Sequence, residues 1–388
     1  MTQTFAAYTL QSGSEEAGLD LGRQISGAFT PDRPDVVIVF ASSRFDYERL
    51  LTGLSDACSP GLLVGSSSAG EFTGDQRGEG TACALAIRST EIRASAGLGQ
   101  GVSRDRSKAA ADAVASFQGL GTSSLPYRSA LVMTDALAGH ADELVRELTV
   151  LTSGAYQFAG GGAGDDAQFS STHVFYGTRA YTDAVVALEL LSAKPLGVGV
   201  GHGWTPASEP LRVTEVDGAR LISLNGVPAF EAFEAHAGST GQTIDRSAPL
   251  PFFLHSILGI DTGVGYQLRV PLAVNDDGSV TCAAEIPAGA RVHIMQTSSD
   301  SAITAAQRAT QAAIDALRGA PPAAALFFDC VATRLRMGND FGFELQSVTD
   351  MIGDARLVGC NTYGQIARAD GQFGGFHNCT AVVMVLPA

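Results

Sequence analysis

Apolar and amphipathic stretches divide most of the chain into predicted strands and helices. Val36 to Ala41 is a continuous, largely β-branched run, which is typical of a strand covered on both faces. Before it, Ala17, Leu21 and Ile25 recur at helical spacing and predict a helix. The same patterns predict further strands near residues 5–10, 62–65, 83–87, 92–98, 130–134, 184–190, 211–215, 221–224, 291–295, 324–328 and 380–386, and further helices near 47–54, 105–117, 142–151, 228–235, 302–317 and 343–351.

The order strand, helix, strand, helix, strand, turn and hairpin strand is predicted three times, starting near residues 5, 92 and 291. Strands that alternate with helices favour largely parallel sheets with helices packed on them. We therefore predict an α/β fold with mixed, largely parallel sheets and covering helices, built from internally repeated strand–helix–strand–helix–strand–hairpin units. The first strand of the third unit is predicted at Arg291 to Met295, after a different segment at 196–289.

A turn rich in glycine or polar residues follows the third strand of each predicted unit. The stretch Val64 to Glu71 is matched without a gap by Phe158 to Asp165 and by Val358 to Gln365. Glycines here let a ligand approach the backbone, and the acids could hold an ammonium or guanidinium group. The residues expected to contact an amino-acid-like or other small polar ligand are Gly65, Ser66, Ser67, Gly70, Glu71, Gly161, Gly162, Asp165, Asn361, Tyr363 and Gln365. The alternative is that these glycines serve only tight turns and close strand packing.

Nucleotide binding at these turns is not favoured, because a phosphate-binding glycine loop must open a helix and these turns lead to hairpins. Asp165 and Asp166 would also repel phosphate. The stretch Gly65 to Ala69 misses the Gly-x-Ser-x-Gly nucleophile motif by one residue and lacks the following helix. We therefore predict that the chain is not an enzyme. A hydrolase using Ser66 to Ser68 or Cys330 is the least favoured alternative.

The amino-acid composition limits the kinds of binding partner and the cellular compartment that we expect for this protein. The chain has 388 residues and a formal charge of −15, with only two lysines and no basic run, which argues against a nucleic-acid or anionic-membrane surface. No apolar run approaches the roughly 20 residues that span a bilayer, and no secretory leader is visible. Six scattered cysteines fit reduced thiols better than a disulfide framework. These observations predict a cytoplasmic protein without a membrane or nucleic-acid partner.

Cysteine and histidine residues offer further candidates for a site. Cys330 and Cys360 each end a strand, and if these strands are neighbours the two thiols could come together, with a thiol pKa lowered by the nearby Arg334. The favoured alternative is that both are plain buried cysteines. No metal-ligand spacing is present. Non-covalent haem b needs only one histidine over an apolar cavity. His202, which lies between glycines and is followed by Trp204, is the first candidate ligand, and His377 is the second.

Several of these motifs together resemble FIST-domain proteins. Ser68 to Glu71, Gly160 to Gly164 and His202 to Trp204 resemble the N-terminal half of the family. Residues 330–334, 359–365 and 377–380 resemble the C-terminal half of the family. One difference is Gln365, which stands where the family usually has a glutamate. The resemblance covers nearly the whole chain. It implies a FIST N-like domain at 1–228 and a FIST C-like domain at 229–388.

What the resemblance implies is a bacterial sensory module that binds a small ligand. Such a module signals to a partner such as a histidine kinase or a cyclic-di-GMP enzyme. The ligand would act by population shift, favouring an arrangement that the partner detects. The free-standing NosP type of the family implies the alternative of a haem-based nitric oxide sensor, with His202 as axial ligand.

Overall fold

The computed structural model describes residues 1–121, 124–369 and 375–388, and it has the mixed α/β fold that the sequence predicts. Most helices predicted from apolar spacing are present within a few residues of their expected bounds. The α-helices of the described residues are α1 (Ser14–Phe29), α2 (Tyr47–Cys58), α3 (Arg106–Val114), α4 (Ala141–Leu151), α5 (Ala229–Ser239), α6 (Leu250–Phe253), α7 (Ser299–Ala316), α8 (Val331–Met337) and α9 (Phe341–Ile352). None of these is long and apolar enough to cross a membrane.

The strands of the described residues follow in chain order. The first stretch contains β1 (Thr2–Thr9), β2 (Val36–Ser42), β3 (Leu62–Ser68), β4 (Glu71–Thr73), β5 (Arg77–Gly78) and β6 (Ala82–Ser89). The second contains β7 (Ile92–Gln100), β8 (Tyr127–Thr134), β9 (Gln157–Gly162), β10 (Val174–Tyr176), β11 (Arg179–Tyr181) and β12 (Ala184–Ser192). Then come β13 (Gly197–Gly201), β14 (Thr205–Pro206), β15 (Leu211–Asp217), β16 (Arg220–Leu224), β17 (Val227–Pro228), β18 (Ile257–Asp261), β19 (Tyr266–Arg269), β20 (Pro271–Val274), β21 (Val280–Cys282) and β22 (Arg291–Gln296). The last are β23 (Pro322–Cys330), β24 (Arg356–Thr362), β25 (Gln365–Arg368), β26 (Gly375–His377) and β27 (Ala381–Pro387).

Three six-stranded sheets have the same internal arrangement. Their first four strands are ordered β1-β6-β2-β3, β7-β12-β8-β9 and β13-β27-β23-β24. In each, the first two pairs are antiparallel and only the third pair is parallel. The hairpin pairs are antiparallel as well, so the sheets are mixed, as predicted, but mainly antiparallel, and the prediction that they are largely parallel is wrong. The reason is that the closing strand of each unit, β6, β12 or β27, inserts antiparallel between the first two strands. The parallel pairs therefore deliver the turns after β3, β9 and β24 at the carboxyl ends of their strands.

Each of these sheets is completed by a hairpin that comes from another part of the chain. The hairpin β4–β5, which follows β3, pairs with β24 of the third sheet. The hairpin β10–β11 pairs with β3 of the first sheet, and β25–β26 pairs with β9 of the second. The three exchanges form a closed cycle, so no sheet is complete without its neighbour's hairpin.

The three sheets enclose one central apolar core. Val36, Ile38 and Phe40 point from β2 into this core, where Phe40 meets Phe328 with ring centroids 5.7 Å apart. The intervening residues of β2 point outward and pack against α1 and α2. This explains why the whole of β2 is apolar, as expected for a strand covered on both faces. Helices α3, α4, α7 and α9 cover the outer faces of the other two sheets.

The predicted first strand of the third unit is wrong. Arg291 to Met295 does form a strand, β22, but it belongs to a separate nine-stranded sheet. The first strand of the third sheet is β13, which pairs with β27. The glycines of β13 interrupt the apolar pattern from which strands were predicted, so this strand was missed. The close packing of β13 against α7 requires these glycines. A Cβ on Gly197 or Gly199 would lie 1.8 Å from a backbone oxygen of α7. Residues 202–296 are thus inserted between β13 and α7, with a core of their own.

Candidate functional site

The three predicted turns meet at one place and are bonded to each other. The backbone amide of each turn donates to a carbonyl of the next turn in the cycle. The bonds are Ala69 N to Asn361 O (2.9 Å), Tyr363 N to Gly162 O (2.9 Å) and Gly164 N to Ser67 O (3.1 Å). Three further bonds run from Asn361 N to Gly70 O (2.9 Å), from Gly162 N to Gly364 O (2.9 Å) and from Asp166 N to Ser68 O (3.2 Å). We call the described residues 65–71, 160–166 and 359–365 the central ring.

Strand register corrects the gapless match between the turns. Gly65, Gly160 and Gly359 are the equivalent residues, because each lies opposite the matching position of the parallel partner strand. Counting from them, the residue equivalent to Glu71 is Asp166, not Asp165. The successive glycines of the second turn allow either alignment, and only the pairing of β8 with β9 decides between them.

Asp165 is not free to hold a ligand. Its carboxylate accepts hydrogen bonds from the backbone amides of Phe169 (2.8 Å), Ser170 (2.6 Å) and Ser171 (2.9 Å) and from the hydroxyl of Tyr363. Burial acts to raise the pKa of Asp165, but these donors outweigh it and hold the pKa below its usual value. Asp165 therefore fixes the second turn to the third, while Tyr363 also stacks on Phe169.

Glu71 and Gln365 also serve the ring itself. Glu71 is buried and accepts bonds from the hydroxyls of Ser68 (2.5 Å) and Thr81 (2.7 Å), and burial raises its pKa to about 7. Gln365 makes the equivalent contact through its Nε2, which donates to Thr362 Oγ1 at 2.9 Å. Both side chains brace the start of a hairpin, so the amide in place of an acid preserves this contact.

Two of the three serines of the first turn are hydrogen-bonded within the protein, and Ser68 Oγ donates to the Glu71 carboxylate. Ser67 Oγ accepts from the backbone amide of His173 at 2.9 Å, and the hydroxyl of Ser66 is buried without a partner. No described histidine ring is hydrogen-bonded to these serines or to Cys330.

A cavity of about 480 Å³ opens beside the ring and contains three of the predicted residues. Asn361 is 1% exposed, and both its Oδ1 and its Nδ2 are buried without a hydrogen-bond partner. The side chain of Arg334 is 14% exposed and pairs with Glu79, while its Nε is buried without a partner. Gly70 lies under both side chains, with φ +135° and no room for a Cβ, which would lie 2.7 Å from Asn361 Oδ1. Glu71 also lines this cavity.

The remaining wall of the cavity combines charged and apolar groups. It is formed by Phe72, Arg77, Gly78, Glu79, Leu335, Gly338, Asn339 and Phe341. Sequence reasoning missed these residues because they come from the exchanged hairpin and the loop after it, and from α8, the turn after α8 and the first residue of α9. No local motif marks them, and only the pairing of β4 with β24 brings Arg77 and Glu79 to Arg334.

Cys330 does not line the 480 Å³ cavity but a separate, small apolar cavity of about 90 Å³ that Tyr363 also lines. The strands of Cys330 and Cys360, β23 and β24, are neighbours as the sequence suggested, but the two cysteines do not lie opposite each other. In the register of β23 and β24, Cys330 lies opposite Thr362 and Cys360 lies opposite Phe328. The thiol of Cys379 instead donates to Cys330. That bond lowers the pKa of Cys330 to about 6 despite burial, which acts to raise it.

Trp204, His202 and His377 do not line the 480 Å³ cavity. Arg336 lies over the Trp204 ring, 5.6 Å from its centroid. His202 accepts from the amide of Trp204 through Nδ1 (3.3 Å), and its Nε2 is bonded to the carbonyl of Tyr266 (3.1 Å), so both ring nitrogens have protein partners. His377 is buried with Nε2 unpartnered, and burial lowers its pKa to about 4. Among the described residues, no group of three or more His, Cys, Asp or Glu side chains is placed to hold a metal ion.

Comparison with family models gives two adjoining matches. The FIST N domain model matches residues 35–227, and the FIST C domain model matches residues 229–368. Together they cover most of the chain, in the order expected from the motifs.

Comparison with individual proteins gives more distant matches. Two uncharacterized proteins of Mycobacterium tuberculosis, MT0656 of strain CDC 1551 and Rv0628c of strain H37Rv, are each 24% identical over 215 residues. The match spans 54% of this chain and 55% of each relative, so the chain spans about half the length of the curated relatives it matches. Among solved structures, a cyanuric acid hydrolase from A. caulinodans aligns over 100% of this chain and 99% of its own. Its identity is 9% and its TM-score 0.32, which is too low to carry an argument.

Proposed function

This chain belongs to the FIST family, whose domains are sensory, and we propose that it is a cytoplasmic sensory protein for a small zwitterionic metabolite of the amino-acid type. We place the ligand in the 480 Å³ cavity beside the central ring. The observation that carries the proposal is the pair of buried, unpartnered groups there, the Asn361 amide and the Arg334 Nε. Leaving such groups unsatisfied costs about 1 to 3 kcal/mol each, which a polar ligand would recover.

The charges of the cavity suit a ligand that carries both signs. Arg334 offers a planar pair of donors for a carboxylate, and Asn361 offers one donor and one acceptor. Glu71, which also lines the cavity, supplies the opposite charge for an ammonium group. Phe72 and Phe341 give apolar surface for a side chain. We infer no bond cleavage, since no described histidine ring is hydrogen-bonded to Ser66, Ser67, Ser68 or Cys330.

Competition for Arg334 supplies a mechanism for signalling. Glu79, whose side chain is 65% exposed, holds Arg334 from the loop between β5 and β6. A ligand carboxylate would compete with Glu79 for Arg334 and release that loop. Released and held arrangements would then shift in population with ligand concentration, and a partner such as a histidine kinase or a cyclic-di-GMP enzyme would detect the released one.

Haem-based sensing is a second proposal, with its support at His377 rather than His202. His377 Nε2 is buried without a partner, and its lowered pKa keeps the ring neutral, as an iron ligand must be. His202 would have to give up a backbone hydrogen bond to ligate. Absorption spectra after haemin addition separate the cases. A sharp Soret band that is lost in His377→Ala but kept in His202→Ala would support haem at His377, and a broad band unchanged by both would exclude it.

The amino-acid proposal is tested by thermal unfolding in the presence of each proteinogenic amino acid, because a ligand that binds the native state raises its melting temperature. We expect at least one to raise the Tm of the wild-type protein and to lose the effect in Arg334→Gln. Arg291→Gln is the matched control, since Arg291 is an exposed arginine paired with Asp261. A Tm rise that survives Arg334→Gln would refute this site.

A further inference from the structure

A second cavity, unrelated to the ring, gathers positive charge in an otherwise acidic protein. It has a volume of about 340 Å³ and lies at the amino-terminal ends of β8 and β9, against β13 and the last turns of α7. The central ring lies at the carboxyl ends of the same strands. Three arginines line this second cavity: Arg128, Arg318 and Arg368. The whole chain has only 25 basic residues against 40 acidic ones, so three in one cavity is a marked local excess.

These arginines have no acidic partners in the part of the chain that the structure describes. No lining residue of the cavity is acidic, and none of the three forms an ion pair. Glu189 lies behind the lining residue Tyr156, but its carboxylate already accepts four hydrogen bonds. The donors are Ser95 Oγ, the amides of Gln118 and Gly119, and the Tyr156 hydroxyl.

The arginines are held in place by their surroundings. Arg368 donates to the carbonyl of Tyr156, and its guanidinium lies so near Gly154 that a Cβ there would be 3.2 Å from it. Arg318 lies over the ring of Tyr127, 5.8 Å from the centroid. Arg128 Nε is buried without a hydrogen-bond partner, as is the amide oxygen of Gln157 beside it in the wall. Since the two ends of an amide are assigned from hydrogen bonds, a turned Gln157 would present its NH₂ donors to the same space.

We propose that this cavity binds a small phosphate-bearing metabolite, a phosphomonoester with its phosphate among Arg128, Arg318 and Arg368. Three guanidinium groups offer more donors than the two oxygens of one carboxylate accept, and they match the three terminal oxygens of a phosphate dianion. The volume exceeds what inorganic phosphate fills, and leaves room for an organic part against Pro195, Leu196 and Val198. The site is separate from the amino-acid cavity, so the protein would bind two chemically different ligands at two sites.

The test is isothermal titration of the full chain with ribose 5-phosphate, inorganic phosphate and citrate, at constant ionic strength. We expect ribose 5-phosphate to bind, inorganic phosphate to bind more weakly and citrate to bind least. Arg128→Gln and Arg368→Gln should each weaken ribose 5-phosphate binding by about tenfold or more, because each removes charge-assisted hydrogen bonds. Arg291→Gln and Arg334→Gln should leave it unchanged.

Three results would overturn the proposal. The first is that ribose 5-phosphate does not bind at millimolar concentration. The second is that wild type, Arg128→Gln and Arg368→Gln bind ribose 5-phosphate with equal affinity. The third is that citrate binds the wild-type protein as tightly as ribose 5-phosphate does. Circular dichroism checks that the variants fold. If Arg128→Gln or Arg368→Gln misfolds, Arg318→Gln decides the question. Arg318 follows the end of α7 and is exposed, so its loss leaves the core intact.

Discussion

Asn361 of the central ring and Arg334 beside it both have buried polar atoms without a hydrogen-bond partner, and both line the 480 Å³ cavity. Asp165, Gln365 and Ser67 are instead hydrogen-bonded within the ring, and the unpartnered Ser66 hydroxyl does not line that cavity. A buried amide without partners costs free energy in the folded protein, and this cost is the basis of the proposed binding role of Asn361. The first predictions follow from these individual side chains.

Replacing Glu79 by glutamine is predicted to tighten binding of the amino acid found in the thermal screen. The change removes the carboxylate that competes with the ligand for Arg334, and the side chain at position 79 keeps its size. Because Glu79 is largely exposed, the pair contributes only about 0.2 to 1 kcal/mol, which corresponds to a gain in affinity of up to about fivefold. Isothermal titration measures the change. Weaker binding in Glu79→Gln would show that Glu79 contacts the ligand instead of competing with it.

Cys330 is predicted to alkylate at lower pH than the other thiols. Its pKa is lowered to about 6 by the bond from Cys379, and it lines the small apolar cavity, whereas burial raises the pKa of Cys58 to about 11. Iodoacetamide labelling followed by mass spectrometry should show half-maximal reactivity of Cys330 near pH 6. In Cys379→Ala the donor is lost, and labelling should move to higher pH. A profile for wild-type Cys330 that still rises beyond pH 9 would contradict this assignment.

At the scale of elements, helix–sheet contacts depend on glycines at particular strand positions. Gly97 and Gly99 of β7 lie under Ala113 and Ala109 of α3, as Gly197 and Gly199 of β13 lie under α7. The backbones of strand and helix touch there. Replacing any one of these four glycines by a larger residue would push α3 or α7 away from the sheet on which it packs.

Gly199→Ala is therefore predicted to destabilise the protein by about 1 to 3 kcal/mol or more, since its Cβ would lie 1.8 Å from Ala309 O. Gly238→Ala is the matched control. Gly238 lies near the end of α5 with open space around it, and alanine there should be neutral or stabilising by up to about 1 kcal/mol. Chemical denaturation measures both. Equal stability of the two variants would mean that β13 and α7 are not in contact as described.

The same glycines show where prediction from sequence stops at this scale. Strands with continuous or alternating apolar residues, such as β2 and β23, were found within a few residues of their predicted bounds. The glycines of β13 replace the apolar signal with close packing against α7, which only the tertiary structure reveals. The equivalence of Glu71 with Asp166 was missed for a related reason, because repeated glycines carry no register of their own.

At the scale of the whole molecule, the cyclic exchange of hairpins joins the two family-model regions. Strand β13 and hairpin β4–β5 lie before residue 228 but pair with β27 and β24, which lie after it. In return, β25–β26 completes the sheet of β9. The boundary at 228/229 remains a prediction as a division of the sequence, but strands from both sides of it share three sheets, including the nine-stranded sheet of β14 to β22.

Separate expression of residues 1–228 and 229–388 is accordingly predicted to give two chains that do not fold alone. Each would expose unpaired strand edges of the shared sheets. Co-expression should recover a one-to-one complex. Proton–nitrogen correlation spectra measure the result for each piece. A well-dispersed spectrum for isolated 1–228 would show that the exchanged strands are dispensable.

The exchange also explains how much of the site the sequence could predict. Glu71, Arg334 and Asn361 were expected because they lie in or near motifs after buried strands, and they do meet. Arg77, Glu79 and Phe341 complete the cavity from elements whose position depends on long-range pairing, so no local pattern marks them. Trp204 and His202 lie in or beside the inserted segment at 202–296, away from that cavity.

The most direct test of the account is whether the cavity at Arg334 and Asn361 recognises both charges of its ligand. The measurement is isothermal titration of the wild-type protein with the amino acid selected by the thermal screen, its carboxamide and its N-acetyl derivative. The account predicts that blocking either charge weakens binding by about tenfold or more, because each derivative leaves a charged group of the cavity unpaired. It also predicts that the carboxamide loses no further affinity in Arg334→Gln. Equal affinity for all three compounds would contradict the central claim.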